Sequence, residues 1–177
     1  MADFEIAIQT ILKHEGGYAN DPKDRGGETN FGISKRSFPE VDIKHLTRAQ
    51  AIGIYRSSYW ENYPVLRELD SQAVATKLFD MIINMVASSA IRIFQQSIND
   101  ASAACVVGVD GRLGPMTVRS ANALDPERLL ASMRTNAARH YCQIVAHDPT
   151  QQQFLRGWLL RAYDRPYSGS TPSCPAD

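Results

Sequence analysis

No stretch of the 177 residues stays apolar for the roughly eighteen positions that a membrane-spanning helix needs. Stable membrane insertion is therefore not expected. The N-terminal MADFEIAIQTILKHEGG has neither a basic start nor an uninterrupted apolar stretch, so it does not read as a secretory signal. The expectation is a chain made in the cytoplasm. Charge of one sign is also missing. Nineteen Lys and Arg balance nineteen Asp and Glu, which gives no support for a nucleic-acid partner or a polybasic membrane surface. Cysteine is scarce. Cys105, Cys142 and Cys174 are odd in number and lack CxxC spacing, so neither a disulfide framework nor a zinc site is expected, and buried thiols are the ordinary reading. The segment His14-Glu15-Gly16-Gly17-Tyr18 fails as a zinc-protease motif because Tyr18 stands where the second His is required. The acidic loop after it fails as an EF-hand because Lys23 occupies a ligand position, and no GxSxG elbow is present. No metal or cofactor is expected, and no internal repeat is visible.

What is present is mostly helical periodicity. Asp3 can cap a helix in which Phe4, Ala7, Ile8, Ile11 and Leu12 fall on one face, with Gly16-Gly17 ending it. Residues 16–34 are rich in Gly, Asn and Asp and read as loop, with a short hairpin around Thr29–Ile33. Thr47-x-x-Gln50 is a capping box that opens a helix running to about Trp60. Ser71 opens another, to about Val86. Ser88 or Ser89 can cap a third, to about Asn99. Asp125-Pro126-Glu127 is a strong start for a long helix to about Ala146, with Pro at its first position. Thr150-x-x-Gln153 is expected to start the last helix, with Phe154, Leu155, Trp158, Leu159 and Ala162 on one side. The tail from Arg165 has no periodicity and reads as flexible. The fold class is mainly α, with a short β element near the N-terminus and a helical C-terminal region.

Three constellations carry chemistry. The first is HEGGYANDPKDRGGETNFGIS, residues 14–34. Glu15 falls at the C-terminal end of the first helix, where the helix dipole disfavours a carboxylate and a partly apolar cleft would raise its pKa further. That is the state a general acid needs near neutral pH. Asp24 follows in a polar loop that favours ionisation, and Thr29 offers a hydroxyl that can hold a water. Two carboxylates with diverging pKa values suit glycosidic hydrolysis. The plain alternative is a helix end followed by a turn-rich loop with solvated charges. The second is SQAVATKLFDMIINMV, residues 71–86, in which ten of sixteen residues are apolar. It reads as a buried helix carrying Thr76, Asp80 and Asn84 as a polar stripe at i, i+4 and i+8. Such a stripe either faces a wet cleft and binds sugar hydroxyls or forms an internally satisfied network. The third is VDGRLGPMT, residues 109–117, by itself a turn followed by a helix start.

Residues 14–34 closely resemble the signature of glycoside hydrolase family 108, the bacterial and phage N-acetylmuramidases. The pattern is carried by Glu15-Gly16-Gly17-Tyr18, Asn20, Pro22, Asp24, Gly26-Gly27, Thr29 and Gly32-Ile33, without a gap. FPEVDIKHLT (38–47), IYRSSYW (54–60) and LFDMIIN (78–84) fit the same family. VDGRLGPMT resembles its C-terminal peptidoglycan-binding region, and RHYCQIV (139–145) and FLRGWLLRA (154–162) resemble its closing helices. The resemblance implies a lysozyme-like fold with a catalytic region over 1–87, a helical peptidoglycan-binding-like region over 88–164 packed on it, and a tail over 165–177. It implies an enzyme that hydrolyses the β-1,4 bond between N-acetylmuramic acid and N-acetylglucosamine, with Glu15 as general acid. By the similar Glu/Asp/Thr arrangement of phage-type lysozymes, Asp24 orients or activates water or stabilises oxocarbenium charge, and Thr29 helps hold the water. The second gap is one residue shorter here than in that arrangement. Tyr18, Asn20, Tyr59, Asp80 and Asn84 are the candidate substrate contacts. One departure is Val86, where family members often carry Gly.

The resemblance further implies an endolysin-like, phage- or prophage-encoded protein. It is expected to wait in the bacterial cytoplasm and to act on peptidoglycan glycan strands in the periplasm after release, as a monomer. Two other functions remain open from the sequence: a non-catalytic peptidoglycan-binding or secretion-accessory protein, and a lytic transglycosylase. The intact Glu15, Asp24 and Thr29 argue against a pure binder, and the Asp24 partner argues for hydrolysis by water. Asp24's loop position favours inversion, for which the carboxylates would stand roughly 6.5–9.5 Å apart rather than roughly 5–5.5 Å.

Overall fold

Burial of one helix organises the molecule. The computed structural model describes residues 1–14, 17–20 and 27–164. Helix α1 spans Phe4–His14, strands β1 and β2 span Thr29–Asn30 and Ile33–Ser34, and helix α2 spans Arg48–Tyr55. A π-helical turn, Arg56–Trp60, and a 3-10 turn, Pro64–Glu68, lead to α3 at Gln72–Asn84. Helices α4 (Ala87–Ser102), α5 (Pro115–Asn122), α6 (Pro126–His147) and α7 (Gln152–Tyr163) follow, with a 3-10 turn at Pro149–Gln151 before the last. The architecture is mainly α, with one small sheet near the N-terminus.

Helix α3 is buried on all sides from Val74 to Ile82, as its near-continuous apolar sequence requires. Its neighbours are α1 on one side and α4 and α6 on the other. Phe4 of α1, Trp60 and Phe79 of α3 form an edge-to-face cluster with ring centroids 5.1–6.0 Å apart, close to the preferred geometry of aromatic quadrupoles. Asp3 caps α1 through bonds from the Glu5 and Ile6 amides, and its own amide and carbonyl bond the Gln72 side chain at the start of α3. The N-terminal ends of α1 and α3 are thus tied together, and the two helices pack along each other. Their C-terminal ends, His14 and Asn84, lie at the same end of the pair.

The capping box of α2 forms as the sequence predicts, and Asp125 caps α6 with Pro126 at its first position. Two starts differ from expectation. Helix α4 begins at Ala87, with Val86 rather than Ser88 or Ser89 at its cap and no side-chain cap bond. Val86 is 73% exposed at the corner between α3 and α4, so it neither fills the core nor crowds a neighbour. The Thr150 capping box does not form either. Asp148 accepts from the Thr150 amide and opens a 3-10 turn, and α7 continues from Gln152 without a side-chain cap. The cysteines are also corrected. Cys105 and Cys142 are free and exposed, because they fall on a loop and on the outer face of α6. Cys174 and the expected flexible tail over 165–177 lie outside the described residues. Among the described residues no helix is long and apolar enough to cross a membrane.

Candidate functional site

The loop that carries the acidic motif is closed at its base by backbone pairing. The Ala19 amide donates to the Thr29 carbonyl and the Thr29 amide to the Ala19 carbonyl, each at 2.8 Å. Just outside this pair, the Tyr18 hydroxyl donates to Glu28 Oε1 at 2.6 Å. That bond holds the phenol protonated and, with the adjacent negative charge, raises the Tyr18 pKa above its usual value. Asn20 is exposed beside it. Thr29 is half-buried, pairs with Ser34 across the hairpin, and its Oγ1 donates to the Gly27 carbonyl at 3.3 Å. Thr29, Tyr18 and Asn20 are therefore gathered at one stem. Glu15 and Asp24, the two candidate carboxylates, lie outside the described residues.

The hairpin itself is pinned from beneath. Phe31 and Gly32 form the two-residue turn with φ of 49° and 74°, the paired positive angles of a type I′ turn. Gly32 takes this conformation freely, whereas Phe31 is strained by it. Packing of Phe31 against the core and a 2.9 Å bond from the Tyr55 hydroxyl to its carbonyl offset that cost. The buried Asn30 side chain donates to the Ile43 and Leu46 carbonyls and fixes the strand to the next loop. Tyr59 sits on the π-helical turn between Phe38 and Tyr55, with ring centroids at 6.5 and 5.9 Å. It is half-buried, and burial pushes its phenol pKa up.

The polar stripe of α3 divides. Thr76 and Asp80 are buried, and Gln72 donates to Thr76 Oγ1 at 3.0 Å. Asp80 does not face solvent. Its Oδ1 accepts from Arg161 of α7, Nε at 3.0 Å and Nη2 at 2.9 Å, so this part of the stripe is an internal network rather than a sugar-facing surface. Asn84, one turn on, is exposed. Its Nδ2 donates to the Asp80 carbonyl at 2.7 Å and to Oδ1 at 3.2 Å. Lys77 is buried as well and donates to the Arg161 carbonyl at 2.7 Å. Burial lowers its pKa, and the neighbouring Asp80 and Asp164 carboxylates act the other way.

Asn84 opens onto a cavity of about 500 Å³, shared with Tyr141 of α6, with Gly157, Trp158, Leu160 and Arg161 of α7, and with Asp164 just beyond it. Tyr141, Trp158 and Arg161 were not among the site residues expected from sequence. The one available signal was that buried Asp80 and Lys77 require partners, but nothing local says which distant residue supplies them. Residues 109–117 form a third feature. Buried Gln95 donates to Asp110 Oδ1 and the Arg112 carbonyl and accepts from the Gly111 amide, which shapes a groove lined by Val107, Leu113 and Thr117. Among the described residues no cluster of His, Cys, Asp and Glu has the arrangement of a metal site.

Two family models match the chain. Residues 8–85 match the model described as Glycosyl hydrolase 108, and residues 89–163 match the one described as Predicted Peptidoglycan domain. Among solved structures, the Brucella abortus SagA structure is similar, with a TM-score of 0.71 and 25% identity, over 90% of this chain and 88% of that one. No match emerges among curated proteins.

Proposed function

We propose that the chain, whose residues 8–85 match the Glycosyl hydrolase 108 model and residues 89–163 the Predicted Peptidoglycan domain model, is an N-acetylmuramidase of the endolysin type. It hydrolyses the β-1,4 bond between N-acetylmuramic acid and N-acetylglucosamine in peptidoglycan. Glu15 donates its proton to the glycosidic oxygen as that bond breaks. Asp24, ionised, activates the attacking water or stabilises the oxocarbenium charge, and the Thr29 hydroxyl holds that water. Residues 1–87 supply the chemistry and residues 88–164 hold the strand. The observation that carries this reading is that the hydrolase match encloses the whole run from Glu15 to Thr29. A pure peptidoglycan binder would have no use for two acids and a hydroxyl at that spacing.

Tyr18 and Asn20, at the stem of the acidic loop, are the proposed sugar contacts beside the carboxylates, with Tyr59 behind them. Asn84 is the contact proposed from α3, with Asp80 acting through it. The enzyme is proposed to work as a monomer on glycan strands and, as an endolysin, to be phage- or prophage-encoded.

The test is digestion of purified peptidoglycan by the wild type and by Glu15→Gln, with the fragments identified by mass spectrometry. Reducing N-acetylmuramic acid ends from the wild type, and a loss of roughly 10²–10⁴ in rate for the variant, are the expected results. Anhydro ends would make the protein a lytic transglycosylase. Retention on the sacculus without fragments would make it a binder.

A further inference from the structure

The cavity at the seam between α3, α6 and α7 is lined by a donor, the Tyr141 hydroxyl, and an acceptor, the Asn84 amide oxygen, that have no hydrogen-bond partner among the described residues. Tyr141 is 6% exposed, yet its hydroxyl has no hydrogen-bond partner among the described residues, and it lines the cavity. The residue is largely buried, but its hydroxyl is not among the fully enclosed polar atoms, so it is reachable from the cavity. Its ring is held by a 5.2 Å stack on Trp158, which in turn stacks on Phe154 at 5.8 Å, so the hydroxyl is aimed by rigid packing. Asn84 supplies the complementary group. Its Nδ2 faces two oxygens of Asp80, which only an N–H donor can satisfy. The amide orientation is therefore determined, and Oδ1 remains an acceptor of a residue that lines the cavity. Trp158 and Leu160 add an apolar wall, and the volume of about 500 Å³ falls within the range of small-molecule sites. The charged lining consists of Arg161, already engaged by Asp80, and Asp164, so the cavity's own lining carries one charge of each sign.

One donor, one acceptor and an apolar wall match a methyl-bearing secondary amide. Its carbonyl accepts from Tyr141, its N–H donates to Asn84 Oδ1, and its methyl packs on Trp158 and Leu160. We propose that this cavity binds such an amide group of peptidoglycan, with Tyr141 as the recognising donor. The proposal rests on peptidoglycan being the substrate. The group occurs in two places in that polymer: the N-acetyl of its amino sugars and the alanyl units of its stem peptides. Asn84 comes from the hydrolase segment and Tyr141, Trp158 and Leu160 from the peptidoglycan segment, so the ligand would bridge the two.

Two substitutions probe the site without dismantling the fold. Tyr141→Phe removes a hydroxyl that has no internal partner. Gly157→Leu places a side chain in the cavity, since a Cβ on Gly157 meets nothing within 4 Å. Calorimetric titration of the full chain would compare an N-acetylglucosamine trisaccharide, its de-N-acetylated counterpart and a sugar-free alanyl peptide. We expect one amide-bearing probe to bind, with each variant weakening it at least fivefold while keeping the wild-type Tm within a few degrees. If the trisaccharide is that probe, its de-N-acetylated form should bind at least tenfold more weakly. If the alanyl peptide is that probe, the amide reading stands and its source is the stem. Binding of no amide probe, or binding that ignores both variants, overturns the proposal. These outcomes are read without turnover, so a failed site with intact peptidoglycan digestion, or the reverse, separates this inference from the muramidase reading.

Discussion

Asp80 in α3 and Arg161 in α7 are 81 residues apart in sequence and meet in a buried ion pair, Oδ1 to Nη2 at 2.9 Å. The pair joins the hydrolase segment to the peptidoglycan segment at the point where Asn84 leaves the helix. Removing Asp80 takes away the carboxylate that faces Arg161 and lies near buried Lys77, and the loss of a buried partner of this kind costs up to about 3–5 kcal/mol. Asp80→Ala is therefore expected to lower unfolding stability by about that amount in denaturant titration. The double variant Asp80→Ala with Arg161→Met should recover a large part of it. A double variant as unstable as the sum of the two singles would show that the two residues do not act as a pair.

Tyr141 gives the molecule an alkaline liability. Burial, with Asp80 nearby, pushes its phenol up to about 12, whereas an unfolded chain titrates it near 10.0. A raised pKa means that the folded state keeps the proton longer. The stabilisation is fully present below pH 10 and is lost as pH rises through 12. The two-unit difference corresponds to about 2–3 kcal/mol. Denaturation at pH 8, 10, 11 and 12 should show this decline, and Tyr141→Phe should flatten it. An equal slope in the variant would assign the alkaline loss to other groups.

What the sequence revealed about this fold was local. The i, i+3, i+4 spacing of Phe4, Ala7 and Ile8 puts apolar groups on one face, and the Thr47–Gln50 box and Asp125-Pro126 put a cap within one turn, so α1, α2 and α6 begin where those residues stand. Helix α4 begins instead at Ala87, with Val86 at its cap offering no side-chain acceptor, because its start follows from the sharp exit of the chain from α3. Thr150 has no capping role because Asp148, two residues earlier, accepts from the Thr150 amide and hydroxyl and starts a 3-10 turn there. The site divided in the same way. The 29–33 hairpin was legible from its glycine and short spacing, and so was the α3 stripe. Whether that stripe faced a cleft or closed on itself depended on Arg161, which no periodicity near Asp80 could reveal. The burial of Tyr141 likewise depends on how α7 lies over α6, a long-range packing outcome.

The turn at Phe31-Gly32 supports a sharper mutational contrast. Gly32 has φ 74°, where any Cβ is strained by roughly 1–2 kcal/mol. Gly32→Ala should lose about that much stability. It should also lose peptidoglycan digestion more steeply than stability, because the turn holds Thr29 in register with Ser34. Tyr55→Phe removes the bond to the Phe31 carbonyl and should produce a milder version of the same effect, about 1 kcal/mol. Full activity in Gly32→Ala at a temperature well below its Tm would show that hairpin geometry does not govern the site.

Thr29 separates the proposed chemistry from mere loop architecture. Its backbone makes both hydrogen bonds to Ala19, so the stem persists whatever its side chain. The hydroxyl contributes only a long 3.3 Å bond to Gly27. Thr29→Val keeps the β-branched shape and is expected to change stability by less than about 1 kcal/mol. If the hydroxyl holds the attacking water, that variant should lose kcat by roughly tenfold or more with little change in KM, and Thr29→Ser should restore most of it. The Gly27 bond alone predicts the opposite: near-normal kcat in Thr29→Val and no special rescue by serine. Initial rates of fragment release from the two variants, measured across substrate concentration, distinguish the two cases, and near-normal kcat in Thr29→Val would leave Glu15 and Asp24 to act on a water that Thr29 does not hold.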